Sequence, residues 1–161
     1  MLIGIVSDTH GHLEHTRAAL RVLQERDVEL VLHCGDIGSI DVVPLFDAWP
    51  THFVFGNVDS HEDRLRHAIE SAGQTCHGRF GSLECEGRRI ALLHGDDERR
   101  LRETVGGEEW DLVCCGHTHV AESHKEGRTL VLNPGALYRA TPHSFAIVEL
   151  PSMQVSTIEV V

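Results

Sequence analysis

Residues 2–11 read LIGIVSDTHG, an apolar run that ends in a polar motif containing two metal-ligand side chains, Asp8 and His10. A short apolar run that stops at serine, aspartate and glycine predicts a buried β-strand leading into a loop. The next stretch carries apolar positions at helical spacing, namely Thr16, Ala19, Leu20 and Leu23. The segment therefore predicts a strand, a loop and a helix, in that order.

The same order occurs twice more in the first half of the chain. Residues 30–32 predict a second strand that ends at CGD, residues 34–36, and a short helical segment runs on to Asp47. Residues 51–55 predict a third strand that ends at GNVD, residues 56–59, before another helical pattern. Three strand-helix units in a row favour parallel strands joined by right-handed crossovers.

The second half of the chain is richer in pairs of short strands. Three pairs flank short turns and predict β-hairpins: residues 82–86 with 89–93, 119–125 with 129–132, and 144–150 with 155–160. A parallel half followed by hairpins predicts an α/β fold, a four-layer αββα sandwich of two mixed β-sheets flanked by helices. A chain of 161 residues suits one hydrophobic core, so we expect a single domain over residues 1–161.

The composition is that of an ordinary globular protein. Hydrophobic residues make up 41% and charged residues 24%, and no apolar run approaches the ~20 residues needed to cross a bilayer. The N-terminal stretch lacks the features of a signal peptide, so we expect a cytoplasmic protein without a membrane partner. The net charge of −11 repels polyanions, which argues against nucleic acid as a partner.

The cysteines indicate a reducing compartment. Five occur, at positions 34, 76, 85, 114 and 115, with no C-x-x-C pair, which argues against a disulfide framework and a thiolate zinc site. Cys114 and Cys115 are neighbours on a predicted strand, so their side chains should point to opposite faces. We expect the cysteines to be small buried fillers.

Five predicted strand ends carry side chains that bind metals. They supply seven donors: Asp8, His10, Asp36, Asn57, His94, His117 and His119. In open α/β sheets the carboxyl ends of the strands border one crevice, so we expect these side chains to meet there. The D-x-H and H-x-H spacings predict extended segments whose paired side chains point to one side. Glycines beside the donors, at positions 35, 56, 95 and 116, predict close approach of the backbone to an ion.

The donor set indicates two metal ions. Seven nitrogen and oxygen donors exceed one tetrahedral zinc site and suit two ions that share Asp36. Imidazole, carboxylate and amide donors without sulfur favour manganese, iron, nickel or zinc. Two divalent ions would also supply the positive charge that an acidic protein needs to attract a phosphate.

The ordered motifs DTH, GD, GNxD, HG and GHTH, followed by NPG at residues 133–135, resemble the calcineurin-like metallophosphoesterase superfamily. The resemblance spans nearly the whole chain and points to the small bacterial and archaeal phosphodiesterase branch, to which the retromer subunit is related. It implies two divalent ions, with manganese favoured, and a metal-bridging hydroxide that attacks phosphorus. It assigns one ion to Asp8, His10, Asp36 and His119, and the other to Asp36, Asn57, His94 and His117. By the same resemblance, Asp36, Asn57 and His94 are the expected catalytic residues.

Two positions depart from the family pattern. Many relatives carry histidine after the asparagine of the third motif, where this chain has Val58. Because an apolar side chain cannot donate a proton, a general-acid contribution of ~10²- to 10⁴-fold is expected to be missing. The fourth motif reads His94-Gly95-Asp96, where small relatives often have a second histidine, and the change should alter the pocket wall.

Four further residues are candidates for supporting the centre or binding substrate: Asp59, His12, His61 and Asn133. Asp59 is expected to orient a ligand through a hydrogen bond. His12 and His61 lie just beyond ligand loops and are alternative proton donors, or else simply begin helices in solvent. Asn133 is expected either to close the pocket floor through backbone contacts or only to form a turn.

The leading functional hypothesis is a phosphodiesterase that acts on a small phosphodiester or nucleotide-like substrate. The alternative is a metal-holding protein-interaction module with little or no catalysis. A nuclease is disfavoured by the acidic balance of the chain. The sequence also leaves room for a homo-oligomer, and it does not identify the substrate or the native metal.

Overall fold

The computed structural model describes residues 1–160 and contains two mixed β-sheets. The first sheet has six strands in the order β11-β10-β1-β2-β3-β4. Their bounds are β1 Leu2–Val6, β2 Leu30–His33, β3 Thr51–Phe53, β4 Thr75–Cys76, β10 Ser144–Glu149 and β11 Gln154–Glu159. Strands β1 to β4 run parallel, whereas β10 and β11 join them as an antiparallel hairpin. The parallel strands therefore bring their carboxyl ends to one edge.

The second sheet has five strands in the order β5-β6-β7-β9-β8. Their bounds are β5 Phe80–Cys85, β6 Arg88–Leu93, β7 Leu112–Cys114, β8 Ala121–Glu126 and β9 Thr129–Pro134. Strands β6, β7 and β9 are parallel, and antiparallel hairpins close both edges. This sheet thus has its own row of carboxyl ends, at β6 and β7.

Helices cover the outer faces of the two sheets. Their bounds are α1 Leu13–Glu25, a 3₁₀ helix Ile40–Phe46, α2 Glu62–Ser71 and α3 Glu98–Gly106. One buried cluster joins α1, the 3₁₀ helix and α2 to the first sheet, and another joins α3 to the second sheet. A third buried cluster takes side chains from both sheets and lies between them. The layers are therefore helix, sheet, sheet and helix.

Alternation along the strands explains why both faces of the first sheet are covered. Ile3 and Ile5 lie in the cluster between the sheets, and Val6 lies in the cluster under the helices. A Cβ at Gly4 would meet the side chain of Leu23 at 2.8 Å, so the absence of a side chain lets α1 pack closely on β1. Buried parallel strands are apolar on both faces for this reason.

The predicted αββα sandwich and the three predicted hairpins are confirmed. The third strand is shorter than predicted and ends at Phe53, although Val54 still donates a backbone hydrogen bond to His33 of β2. Strand β4 and helix α3 were not predicted; α3 offers the signals of a capping Asp97 and of Leu101 four residues before Val105. The interpretation as a single domain stays a prediction.

The cysteines behave as small buried fillers where the strands are central. Cys34, Cys114 and Cys115 are buried and none of the five cysteines forms a disulfide. Cys114 packs between the sheets, whereas Cys115 packs under α3. The predicted opposite orientation of these two neighbours is thus confirmed.

Candidate metal centre

The seven predicted donors come from loops that follow strands of both sheets. Asp8 and His10 follow β1, Asp36 follows β2 and Asn57 follows β3, all in the first sheet. From the second sheet come His94, which follows β6, and His117 and His119, which follow β7. The structure brings all seven into one crevice, where their side chains form a chain of contacts described next.

Four of the donors form a compact cluster. One ligand atom each from Asp8, His10, Asp36 and His119 lie within 4.8 Å of one another. His119 Nε2 is 3.0 Å from Asp8 Oδ1, and His10 Nε2 is 3.7 Å from a carboxylate oxygen of both Asp8 and Asp36. The His10 and His119 Nε2 atoms are themselves only 3.3 Å apart. This spacing suits donors that converge on one cation.

The other three donors continue the cluster on the far side of Asp36. His94 Nε2 lies 3.3 Å from Asp36 Oδ2, and the His94 and His117 rings are 5.2 Å apart between centroids in an edge-on arrangement. His117 Nδ1 lies 3.1 Å from Asn57 Oδ1. Asp36 therefore occupies the position between the two halves of the donor set.

The backbone around the donors is left-handed, so the expectation of extended D-x-H and H-x-H segments is wrong. Asp8, His10 and Asp36 have φ of 54°, 45° and 53°, and His117 and His119 have φ of 71° and 60°. Aspartate and histidine tolerate this region better than most residues, but each such residue still costs about 1–3 kcal/mol. Asp8 and His10 still lie in one cluster, whereas the two members of the H-x-H pair diverge, since His117 contacts Asn57 and His119 contacts Asp8.

The hydrogen bonds of two histidines leave lone pairs that face carboxylates. His94 Nδ1 is 2.8 Å from the Cys34 carbonyl and His119 Nδ1 is 3.0 Å from the Arg139 carbonyl. Because a carbonyl can only accept, each Nδ1 carries a proton, so in the neutral form of either ring the electron pair that can bind a cation lies on Nε2. Each of these Nε2 atoms then faces an oxygen of Asp36 or Asp8.

Two buried atoms of this centre lack any hydrogen-bond partner within residues 1–160, namely Asp8 Oδ1 and His94 Nε2. Their nearest contacts, to His119 and Asp36, do not have hydrogen-bond geometry. An orphaned buried acceptor costs about 1–3 kcal/mol, and more when it is charged. Cations bound at these two atoms would satisfy both, so the residues present fit metal binding.

The electrostatics of the carboxylates agree with this geometry. Burial raises the pKa of Asp8 and Asp36, but neighbouring imidazoles, above all His10 for Asp8 and His94 for Asp36, outweigh burial and hold both pKa values below the ordinary range. Burial also opposes charge on His94, yet Asp36 and Asp8 raise its pKa. The site thus keeps two negative charges and attracts positive charge in their vicinity.

Asp59 supports the centre through the backbone. Its buried carboxylate accepts hydrogen bonds from the amides of Ile37 at 3.1 Å, Gly38 at 2.9 Å and Gly56 at 2.9 Å. These amides flank Asp36 and Asn57, so Asp59 holds together the two loops that carry them. It does this through main-chain groups and not through a ligand side chain.

Asn133 acts in a similar way on the GHTH loop. Its Nδ2 donates to the Gly116 carbonyl at 2.8 Å and to Thr118 Oγ1 at 3.0 Å, while its Oδ1 accepts from the Gly135 amide at 3.0 Å. The side chain therefore fixes the loop that carries His117 and His119. The amide side chain thus bridges Gly116 and Gly135, and the expectation that Asn133 closes the pocket floor stays a prediction.

Two glycines leave room for the carboxylates. A Cβ at Gly56 would collide with Asp36 Oδ1, and a Cβ at Gly116 would collide with Ser7 Oγ and lie 2.7 Å from Asp8 Oδ2. The glycines are therefore needed by the side chains that line the centre, and not only by an ion approaching the backbone.

The remaining predicted residues lie around the centre. His12 caps α1, accepts a hydrogen bond from the His15 amide and stacks on Tyr138 at 4.6 Å between ring centroids. His61 is exposed at the start of α2, and its side chain makes no capping bond. Val58 is 43% exposed beside Asn57. Asp96 lies 3.9 Å from Arg79 in a surface ion pair.

Sequence reasoning missed several groups that orient the donors. Ser7 Oγ donates to Asp8 Oδ2 at 2.6 Å, and its place next to a ligand was an available signal. The Cys34 and Arg139 carbonyls, which hold His94 and His119, give no signal because every residue carries a carbonyl. Such contacts fix the orientation and basicity of ligand histidines.

Within residues 1–160 no helix combines the length and the apolarity that crossing a bilayer requires. The sequence is 31% identical to a phosphodiesterase of Methanocaldococcus jannaschii over 138 residues, which cover 84% of this chain and 83% of that protein. The fold is similar to the solved structure of an archaeal phosphodiesterase, with a TM-score of 0.92, 28% identity and coverage of 99% of both chains. Vps29 of Chaetomium thermophilum, at 15% identity and a TM-score of 0.74, covers 99% of this chain and 96% of its own and shares the fold.

The family relationship follows from these likenesses and from the order of the motifs. Residues 1–153 match the model of the calcineurin-like phosphoesterase superfamily domain. The match includes all seven converging donors, from Asp8 to His119. This chain therefore belongs to the calcineurin-like phosphoesterase superfamily.

Proposed function

We propose that the protein is a metal-dependent phosphodiesterase that hydrolyses a small phosphodiester or nucleotide-like ester. The observation that carries the proposal is the set of histidine Nε2 atoms that face the Asp8 and Asp36 carboxylates, with Asp8 Oδ1 and His94 Nε2 left without a hydrogen bond. The similarity to phosphodiesterases along the whole chain supports the same reaction class.

The donors would hold two divalent ions, with Asp36 common to both. One set is Asp8, His10, Asp36 and His119, and the other is Asp36, Asn57, His94 and His117. Nitrogen and oxygen donors without sulfur suit manganese, iron, nickel or zinc, and we favour manganese. When bound, such ions supply positive charge for the phosphate and a water molecule whose pKa is lowered to about 7.

The protein's own residues hold and orient this centre. Asp8 and Asp36 provide the negative charge that retains cations, and without cations the same carboxylates would repel a phosphate. Hydrogen bonds from His94 and His119 to carbonyls keep both Nε2 atoms aimed inward. Asp59 and the left-handed backbone keep the loops in register, so the donors need little rearrangement.

Val58 shapes the substrate preference. Its exposed isopropyl group lies beside Asn57 and can neither donate nor accept a hydrogen bond. The leaving oxygen then receives no proton from this position, so phosphodiesters and other esters with good leaving groups should react better than alkyl phosphomonoesters. Comparable turnover of glycerol phosphate and an aryl phosphodiester would contradict this assignment.

The test uses metal-stripped protein refilled separately with manganese, nickel, zinc or iron. We expect hydrolysis of bis(4-nitrophenyl) phosphate that depends on the metal and is abolished by Asp36→Ala. The matched control is Asp47→Ala, because Asp47 is an exposed carboxylate at the end of the 3₁₀ helix. Full activity of Asp36→Ala would refute the proposal.

The alternative is a metal-holding interaction module with little or no catalysis. It is favoured by one observation: the exposed large hydrophobic residues within residues 1–160 are Val58 and Val120, and both lie next to a donor. Exposed apolar groups can serve a protein partner as well as a substrate. Tight metal binding without turnover on a broad panel of phosphate esters would favour this module.

A further inference from the structure

A cavity of about 240 Å³ opens beside the metal centre. Its walls are residues 38–41, from the loop after Asp36 and the start of the 3₁₀ helix, and residues 58–61, 64 and 65, from the loop after Asn57 and the first turn of α2. The Val58 amide donates to Asp36 Oδ1 at 3.0 Å, so one wall begins directly at a shared donor. A substrate held at the centre would therefore extend into this space.

The floor and the rim of the cavity differ in chemistry. Ile40, Val58 and Leu65 provide apolar surface, and Val58 is exposed. The rim carries Asp41 and Arg64, which are both exposed. A mixed lining of this kind suits a ring whose carbon face contacts apolar side chains while its edge carries polar groups.

The two charged side chains at the rim, Asp41 and Arg64, make few hydrogen bonds or ion pairs within the described part of the protein. The Arg64 guanidinium makes no hydrogen bond or ion pair with any residue in the described range 1–160. In the same range the Asp41 carboxylate accepts one side-chain hydrogen bond, from Ser39 Oγ at 3.3 Å. One free donor group and one nearly free acceptor group on the same cavity complement a group that both donates and accepts, which hydroxyls do.

We propose that this cavity is the subsite for one ester arm of the substrate and that it takes a ribose-type ring through its vicinal hydroxyl groups. Asp41 accepts hydrogen bonds from the hydroxyls, Arg64 donates to them, and Val58 packs against the carbon face of the ring. The volume lies just below the ~300 to 1,000 Å³ of drug-sized ligand pockets, which suits one sugar ring better than a whole nucleotide. The inference rests on the proposed phosphodiesterase function and narrows its substrate to sugar or nucleoside phosphodiesters.

The charges argue against a second phosphate in this place. The positive charge of Arg64 is opposed on the cavity by Asp41 and Asp59, and the adjoining depression carries Asp59, Glu62 and Asp63 against Arg64 and Arg79. The protein as a whole carries a net charge of −11. A neutral polar ring is therefore preferred to an anionic group.

The experiment measures binding and turnover separately in the manganese-loaded protein. Calorimetry compares uridine 5′-monophosphate with 2′,3′-dideoxyuridine 5′-monophosphate, which differ only in the two hydroxyls. We expect uridine monophosphate to bind about tenfold more tightly, since a site built to bond hydroxyls discriminates against an analogue that lacks them. Asp41→Asn and Arg64→Gln should each remove most of this difference, whereas the exposed controls Asp47→Asn and Arg21→Gln should keep it.

Turnover of bis(4-nitrophenyl) phosphate, which has no sugar, tests the proposed function independently. If this ester is hydrolysed but the two nucleotides bind equally, the sugar subsite is overturned and the phosphodiesterase stands. If the nucleotides are discriminated but no ester is hydrolysed, the phosphodiesterase fails and the cavity remains a sugar-binding site. Discrimination that survives both cavity substitutions would also overturn the assignment to Asp41 and Arg64.

Discussion

Replacing Asp59 with alanine should destabilise the protein strongly, although Asp59 is not a predicted ligand. The substitution removes the acceptor for three amides, of which those of Ile37 and Gly56 are buried and that of Gly38 is exposed. An unsatisfied buried donor costs about 1–3 kcal/mol, so two such donors cost about 2–6 kcal/mol. Burial raises the pKa of Asp59, so its charge carries a desolvation cost that the substitution removes and that offsets part of this loss.

Asp59→Asn is the informative comparison. Oδ2 serves both Ile37 and Gly56, whereas Oδ1 serves only the exposed Gly38 amide. An asparagine whose oxygen takes the Oδ2 position keeps the two buried bonds, but its Nδ2 then faces the Gly38 N–H donor to donor, so we expect a loss of about 1 kcal/mol, which stays below that of alanine.

Urea unfolding of the chelator-treated protein measures both variants, and Mn²⁺ titration shows whether the loops still hold the donors. A total stability of about 5–15 kcal/mol leaves Asp59→Ala folded but weakened. The reasoning would be refuted by an alanine variant that loses less than about 1 kcal/mol, or by equal losses in both variants.

Three further predictions concern the centre and a remote histidine pair. Asp36→Asn should weaken Mn²⁺ binding by more than the ~10- to 100-fold typical of supporting residues, because Asp36 contacts both halves of the donor set; calorimetry on the folded variant checks this, and unchanged affinity would contradict it. Gly56→Ala should lower metal affinity and hydrolysis together, because its Cβ would displace the Asp36 carboxylate; a variant with normal metal content would count against this packing. Burial and the neighbouring His77, whose Nε2 lies 2.8 Å from His52 Nδ1, lower the pKa of His52 in the folded protein. Below the ordinary histidine pKa of about 6.5 the unfolded chain therefore binds a proton that the folded protein resists, so the stability that this pair contributes at higher pH should be lost as pH falls below about 6.5. Unfolding free energies should therefore fall less between pH 7.5 and 5.5 in His52→Gln than in the wild type or in the exposed control His67→Gln; parallel profiles would reject the coupling.

Much of the fold was predictable because the apolar pattern and the turns agree. The apolar run Leu2–Val6 predicts strand β1, and the glycine at position 127 predicts the turn of the β8–β9 hairpin. Helix α3 was not predicted because its main apolar residues, Leu101 and Val105, lie in a charged stretch and only Val105 is buried. Strand β4 was not predicted because it is only two residues long, which is too short to show a periodic pattern.

The candidate centre was predictable at the level of which residues meet, but not of how they are held. Parallel strands of one sheet bring their carboxyl ends to one edge, so Asp8, Asp36 and Asn57 could be grouped without coordinates. The left-handed conformations of Asp8 and His117 could not, because residue type permits that region without requiring it. The assignment of each donor to an ion stays a prediction.

The origin of the donors from two different sheets has a mechanical consequence. Asp8, Asp36 and Asn57 follow strands of the first sheet, and His94, His117 and His119 follow strands of the second. An ion bound between them would therefore cross-link the two sheets. A metal ion at a free concentration 100 times its dissociation constant would add about 2.7 kcal/mol to the free energy of unfolding. When transition metals are scarce, the folded protein would then be less stable, and any activity that depends on the metal would be lost as well.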